Sequence, residues 1–440
     1  MNSKYLIKKI KRLIKDNKKY LVAYSGGLDS SALLQILFDL NKTLFKNISL
    51  RAIHVNHNLN MNSNIWVKHC YLFCKKKKIN LIIKNINIIK KKNIEEEARK
   101  LRYKIFKKII LNNEILLLGH HLQDQCETFL LSLKRGSGPS GLSCMPFKKK
   151  IGNNYLIRPF LNIKKKYLTQ YILKKKIKYI IDNSNYNTKF DRNFLRLKIL
   201  PIINKRWPKF YISIFKSSIL CANQENIIYD ILKKKIFKIQ NKKKALLIDY
   251  LKQIKLIKCY LIIKKWINQF NVKIPSFKKI KKIWTEIALS NINSQPKLNV
   301  KLYQINRYSK YLYLLPNICN ITNINIIWEN QKSLILPNNI GKLIINKNEG
   351  YILRAPQKNE KIIIKFLVKG KYNIIGKIHS LNIKKIWKEL GIHPWLRNKI
   401  PLIYYDNKLI SAVGVFITKY GNIFKNKKKI KIKFIKNLKI

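Results

Sequence analysis

The sequence predicts an α/β fold over about its first 210 residues, a parallel sheet covered by helices on both faces. A helical domain and a small α+β C-terminal domain follow. Three observations predict this. Short apolar runs of strand length alternate with amphipathic helices as far as Trp207-Pro208. Helical patterning then continues from about Phe210 to Ile292. From about Val300, short β-type segments take over, with turn signals at Pro337-Asn338-Asn339 and Gly350 and a further αβ pattern over 377–416. The 440 residues suffice for two or three cores. We divide them at 1–210, 211–320, a linker over 321–354, and 355–440.

Taken in order, Leu6, Ile7, Ile10, Leu13 and Ile14 mark one face of an opening helix. Tyr20–Tyr24 is a short buried strand ending at Ser25, and a helix follows from about Asp29 to Leu40. The next strand covers Leu50–Val55, and Ser63 is the expected cap of the helix after it. Asn93–Leu111 reads as a helix with Glu95, Glu96 and Glu97 in its first turn, where the helix dipole favours negative charge. Ile115–Leu118 is another strand.

Lys and Arg number 93 against 20 Asp and Glu, a formal charge of +73. Such an excess favours a polyanionic partner, because each cation near a phosphate releases condensed counterions. Most of the surplus is Lys, accompanied by abundant Ile and Asn, and drift of the coding sequence towards A and T is the expected source of the bulk of it. With 47% hydrophobic residues the chain is no disordered polycation. No apolar stretch reaches the length of a membrane span, and the charged start lacks the apolar core of a signal peptide, so a cytoplasmic location without membrane attachment is expected. The seven cysteines (70, 74, 126, 144, 221, 259 and 319) form no CxxC pair, which removes the ligands of a zinc ribbon or an iron–sulfur cradle.

The sharpest signal is Ser25-Gly26-Gly27-Leu28-Asp29-Ser30, between a buried strand and an amphipathic helix. Two glycines let the backbone turn tightly, the helix start offers partly positive amides, and two serines add hydroxyls. Such a nest suits pyrophosphate. Asp29 makes sense there if Mg²⁺ bridges it to the phosphates. None of the Gly-Lys pairs in the chain continues as a Walker loop. His120 and His121 follow a strand, so at least one points into the cleft at the carboxyl edge of the sheet. Asp124 and Glu127, three residues apart, share a helix face able to hold an ammonium group or a metal. Zinc on these histidines with His54 or His57 is the weaker reading, since no cysteine or carboxylate set completes a tetrahedron.

SGGLDS after a strand resembles the loop of the N-type ATP pyrophosphatases (the PP-loop, or adenine nucleotide alpha hydrolase-like, superfamily), which cleave ATP between its α- and β-phosphates. Further segments resemble one family within it, the tRNA(Ile)-lysidine synthetases. They are His54-Val55-Asn56-His57-Asn58-Leu59, with Asn60 where Arg is usual, Glu95-Glu96-Glu97-Ala98-Arg99 with Arg102-Tyr103, and Gly119-His120-His121 through Gln125-Cys126-Glu127-Thr128. Arg135–Gly138 through Gly141–Met145, Arg158-Pro159-Phe160, Asp182–Asn185 with Arg192–Arg196, and Trp387 through Arg397 extend the likeness over nearly the whole chain. One departure is plain: Gln123-Asp124 stands where the family pattern has paired aspartates.

The resemblance implies ligation of free L-lysine to C2 of the wobble cytidine of a tRNA(Ile) with a CAU anticodon. ATP first adenylates the base, the lysine amine expels AMP, and decoding changes from AUG to AUA. It implies ATP and Mg²⁺ at Ser25, Gly26, Gly27, Leu28, Asp29, Ser30 and His54, with Asp29 towards the metal. Asp29, Arg99, His120, Asp124 and Glu127 are the implied catalytic set, with Asp124 and Glu127 also towards lysine. Arg192, Arg196 and Arg397 are the expected tRNA contacts, and a homodimer is an assembly that the sequence leaves open. The competing readings are a PP-loop tRNA 2-thiolase, which the missing CxxC disfavours, and a non-catalytic basic RNA-binding protein, which the intact loop disfavours.

Overall fold

The computed structural model describes residues 3–43, 48–58, 62–87, 94–270, 272, 275–291, 294, 296–317, 321–329, 333–346, 349–357, 359–423 and 428–437. Asn60, Cys319 and the lysine run at 90–92 lie outside the described residues. The chain forms two compact units, Met1–Asp230 and Ile231–Ile440.

The first unit is built on a six-stranded sheet. Its strands are β1 (Lys19–Ala23), β2 (Ser49–Asn56), β3 (Asn80–Asn85), β4 (Glu114–Leu117), β5 (Lys148–Ile151) and β6 (Asn154–Ile157), in the order β3-β2-β1-β4-β6-β5. All neighbours pair in parallel except β5, which pairs antiparallel with β6. Parallel pairing requires crossovers, and helices supply them. The crossovers are α2 (Leu28–Thr43), α3 (Ser63–Lys76), α4 (Ile94–Ile109) and α5 (Leu122–Lys134) with α6 (Pro139–Leu142), while α1 (Ser3–Lys11) precedes β1 and α7 (Lys165–Lys174) follows β6. Alternation along β1 buries Tyr20 and Val22 among Leu33, Ile36, Leu37 and Leu117 on one face. Leu21 faces the other way, against Ile53, Phe106, Leu116 and Leu156. Strand β1 has β2 on one side and β4 on the other, so its carboxyl end is a topological switch point, where open α/β sheets bind ligands. After α8 (Asp191–Phe194), a π-helical stretch over Leu195–Ile199 and α9 (Leu200–Arg206), the long α10 (Phe210–Lys238) runs on past the end of this unit.

The second unit contains β7 (Leu246–Leu247), α11 (Ile248–Lys252), α12 (Leu256–Asn268) and α13 (Phe277–Lys282), then β8 (Lys297–Val300), β9 (Tyr303–Tyr308) and β10 (Tyr311–Pro316). The strands form an antiparallel sheet in the order β7-β10-β9-β8. Further antiparallel sheets, with strands such as Ile362–Lys365, Leu402–Tyr405 and Lys408–Ala412, make up the C-terminal part. No helix among the described residues is long and apolar enough to cross a membrane.

Two expectations need correction. Ser63 does not cap α3 but is its first helical residue, with Asn62 in the cap position. The stretch from Phe210 to Ile292 is not helical throughout. Leu246-Leu247 is a strand, because two apolar residues too few to show a period pair with β10 in the tertiary fold.

Candidate active site

The loop after β1 turns through Gly26 at φ 81°, a conformation that favours glycine. A side chain there would also collide with Ile180 Cδ1 and lie 2.9 Å from Cys70 Sγ. The turn is locked by its own hydroxyls. Gly26 O accepts from Ser31 Oγ at 3.2 Å and from Ile180 N at 2.9 Å. Gly27 O accepts from Ser30 Oγ and from Ser31 N, both at 3.0 Å, and Ser25 Oγ lies 3.0 Å from Ser30 Oγ. These two carbonyls are therefore committed within the protein. The first-turn amides of α2, at Leu28, Asp29 and Ser30, have no carbonyl of their own helix to bond and carry the positive end of its dipole. Such an arrangement suits phosphate. Gly119, just beyond β4, approaches the start of α2 so closely that a Cβ would stand 3.1 Å from the Asp29 carbonyl group. The end of β4 thus joins the loop at the mouth of the crevice.

Asp29 lies in the first turn of α2 with its side chain 30% exposed. Its Oδ1 is shielded from solvent and has no hydrogen-bond partner, while Oδ2 lies 3.6 Å from His121 Nε2. Burial pushes the Asp29 carboxyl above the usual carboxylate range, and Asp124 adds to this, while His121 opposes it. A carboxylate oxygen left unpaired is a suitable hard ligand for Mg²⁺, which commonly takes one or two carboxylates together with substrate phosphates. Among the described residues no group of three or more His, Cys, Asp or Glu could hold a metal ion without such outside ligands.

His121 and Asp124 form the start of α5. The Asp124 amide donates to His121 Nδ1 at 3.4 Å, and the His121 amide donates to Asp124 Oδ2 at 2.9 Å, a reciprocal capping box. With Nδ1 accepting, the neutral ring carries its proton on Nε2, towards Asp29. The sequence reading selected His120, whereas His121 is the residue joining the loop to α5. Burial pushes Asp124 up, but His121, the Arg192 guanidinium and the hydrogen bond from the His121 amide outweigh it and hold the carboxylate ionised.

Glu127, one turn further along α5, is fully buried. Arg192 Nε donates to Glu127 Oε2 at 2.6 Å, Arg196 Nε to Oε1 at 2.6 Å, and Arg196 Nη2 to Oε2 at 2.9 Å. The same guanidinium groups reach Asp124 Oδ1, at 3.3 Å from Arg192 and 3.5 Å from Arg196. Burial alone would lower both arginines, but the two acids outweigh it and keep them firmly cationic. Arg192 and Arg196, expected as tRNA contacts, therefore spend hydrogen bonds on the acids of α5. Asp29, His121, Asp124, the two arginines and Glu127 make one continuous polar chain. Gln123 stands outside it, its Oε1 accepting from the Lys165 amide at 2.9 Å, so it anchors the start of α7.

The other expected residues take no part in this chain. Arg99 on α4 lies over the Tyr103 ring at 5.2 Å. His54 Nδ1 donates to Tyr24 O at 3.0 Å and pins β2 to the end of β1 beside the loop. Arg397 belongs to the second unit, where its Nε donates to Ile392 O at 3.2 Å. His120 is half-buried with Nδ1 unpartnered, and burial, against the pull of Asp124, pushes it down to about 3. Between that value and the ordinary 6.5, the unfolded chain binds a proton that the folded chain refuses, so stability falls as pH drops through this window. Chemical denaturation at about pH 7 and about pH 5 should show His120→Asn losing about 2 kcal/mol less than the parent. Equal losses would show that the imidazole is not held neutral.

A nucleotide-binding loop at a switch point, backed by a histidine–carboxylate–arginine chain, defines a PP-loop enzyme. Comparison agrees: a family model described as the PP-loop domain matches residues 2–203. Models described as the TilS substrate binding domain and the TilS substrate C-terminal domain match residues 246–313 and 364–434. A tRNA(Ile)-lysidine synthase of Serratia proteamaculans is 41% identical over 423 residues, covering 96% of each chain. One from Buchnera aphidicola subsp. Schizaphis graminum is 44% identical over 425 residues, covering 96% of this chain and 95% of the relative. The chain belongs to the tRNA(Ile)-lysidine synthase family. Among solved structures, a U34-tRNA thiolase from Methanococcus maripaludis gives a TM-score of 0.44 at 20% identity, covering 50% of this chain and 78% of that one.

Proposed function

We propose that this chain forms lysidine in tRNA(Ile) in an ATP-dependent reaction, with the loop and the α5 carboxylates dividing the two halves of the chemistry. ATP is the substrate of the first half. Its phosphates meet the amides of residues 28–30 and the hydroxyls of Ser25 and Ser30, which oppose the charge that builds as pyrophosphate leaves. Bound at Asp29, Mg²⁺ would neutralise part of that phosphate charge. His121, with its Nε2 proton towards Asp29, keeps that carboxylate aimed at the mouth.

The second half needs a neutral amine. Free L-lysine arrives as an ammonium; Asp124, held ionised, orients it and takes one proton. The neutral amine attacks C2 of the adenylated wobble cytidine, AMP leaves with the electrons of the C2–O bond, and the nitrogen's second proton passes to solvent. Glu127 has both oxygens taken by arginines, so its part is to position Arg192 and Arg196 against Asp124. Arg99 and Arg397 complete the set as cations for RNA phosphate. The protein works in the cytoplasm, where tRNA, ATP and lysine are together.

The observation that carries this reading is the unbroken polar chain from Asp29 to Glu127. The test is incubation with ATP, Mg²⁺, radiolabelled lysine and total tRNA. We expect label in tRNA(Ile) with matching release of AMP and pyrophosphate. AMP release without label in the RNA, or label dependent on a sulfur donor instead of lysine, would reject the reading.

A further inference from the structure

Trp207 is large, apolar and 57% exposed at the carboxyl end of α9. Nothing in the chemistry above uses it. Its backbone is well fixed: its amide donates to Ile203 O at 2.7 Å, and its carbonyl accepts from Phe210 N at 2.9 Å. The Trp207 and Phe210 rings are stacked, with centroids 6.1 Å apart and planes 28° from parallel. Phe210 in turn packs against Cys126, Leu200 and Ile214, the cluster that also takes Phe129 and Leu130 from α5. The indole is thus an exposed flat surface seated on a buried support, and that support is the back of the helix carrying Asp124 and Glu127. A recess of about 670 Å³ lies here, lined by Arg206, Trp207, Pro208, Lys209, Phe210 and Ser213.

The charge around this surface has one sign. From Arg192 to Gln224 the sequence contains no Asp or Glu. Arg192 and Arg196 are occupied by α5, but Lys198, Lys205, Arg206, Lys209 and Lys216 remain on this stretch. Arg206 and Lys209 directly flank the indole, and both are exposed. An exposed aromatic ring between cations fits one kind of occupant, a nucleobase with its phosphates, because every base has a π-face and every linkage a negative charge. A duplex cannot use such a ring, since its bases are already stacked. The reading of this protein as a tRNA-modifying enzyme supplies the single-stranded RNA, and the inference rests on that reading.

We propose that the Trp207–Phe210 stack is a platform for one unstacked base of the single-stranded loop that bears the target cytidine, with Arg206 and Lys209 meeting the adjacent phosphates. The platform holds the loop open against the helix that carries Asp124 and Glu127, so that the neighbouring target base enters the crevice without losing all of its stacking.

The test uses the full chain and three RNAs: a tRNA(Ile) transcript, a hairpin carrying its anticodon loop, and a blunt duplex of the same length. Trp207→Ala should weaken binding of the transcript and the hairpin about tenfold or more. Duplex affinity and melting temperature should stay unchanged, and Trp207→Phe should restore most of the loss. Equal weakening on hairpin and duplex, or no weakening at all, overturns the platform. So does a change in sedimentation of Trp207→Ala, which would assign the indole to contact between protein copies. If the parent binds the transcript and the variant binds it equally well, only the platform fails. If the parent does not bind the transcript, the functional reading fails with it.

Discussion

Asp29→Asn should lower conversion of ATP to AMP and pyrophosphate by about a hundredfold or more while the protein stays folded. The size follows from what the side chain does. Removing one preorganised group that opposes developing charge costs about 10²–10³ in rate, and Asp29 Oδ1, a carboxylate oxygen with no other partner, would act by holding the Mg²⁺ that offsets the phosphate charge. The folded state should survive because Oδ1 makes no bond to lose, and the locking bonds of the loop come from Ser25, Ser30, Ser31, Gly26 and Gly27. Asn keeps the shape and removes the charge. Pyrophosphate release monitored in parallel with a thermal melt checks both halves. Undiminished release would take Asp29 out of the reaction.

Glu127→Ala should be the most destabilising single change at the site. It leaves two guanidinium groups, both largely withdrawn from water, to share Asp124, with only the exposed Glu95 also near Arg192 at 3.9 Å. Removing one partner from a buried ion pair costs about 3–5 kcal/mol, because a charge is left uncompensated. The functional loss should fall on lysine transfer, since Arg192 and Arg196 would then turn fully onto Asp124 and weaken it as a proton acceptor. Denaturant unfolding reads the first effect. The second appears as label incorporation at a temperature where the variant is folded, measured with Glu127→Gln, which retains one acceptor for the arginines. A variant as stable as the parent with normal incorporation would mean that the acid organises nothing.

Much of this site was legible in the sequence, and the rest was hidden for identifiable reasons. The loop Ser25–Ser30 could be read because its signal is local: strand, two glycines and helix start within a dozen residues. Asp124 and Glu127 could be read as one face because helical spacing places them there. The choice between His120 and His121 could not. Strand β4 ends at Leu117, and the backbone between it and α5 has no period from which to tell which imidazole turns to Asp29. Arg192 and Arg196 look like surface cations among many, and the family resemblance made them expected tRNA contacts. A signal was nevertheless present, since residues four apart on one helical face offered two cations to a second helix with acids three apart. Strands β5 and β6 went unread because the exposed Lys148–Lys150 mask a hairpin in which only Ile151, Asn154 and Leu156 are buried. Cys70 and Cys74 lie buried on α3 with thiols pushed up to about 12, which fits core residues and not sulfur carriers.

The most direct measurement is a crystal structure of the full chain with a non-hydrolysable ATP analogue and Mg²⁺. The β- and γ-phosphates should lie within hydrogen-bond distance of the backbone amides of residues 28–30, with Asp29 Oδ1 turned to the metal. A nucleotide bound elsewhere, with the turn between β1 and α2 making no contact to phosphate, would contradict the account at its base.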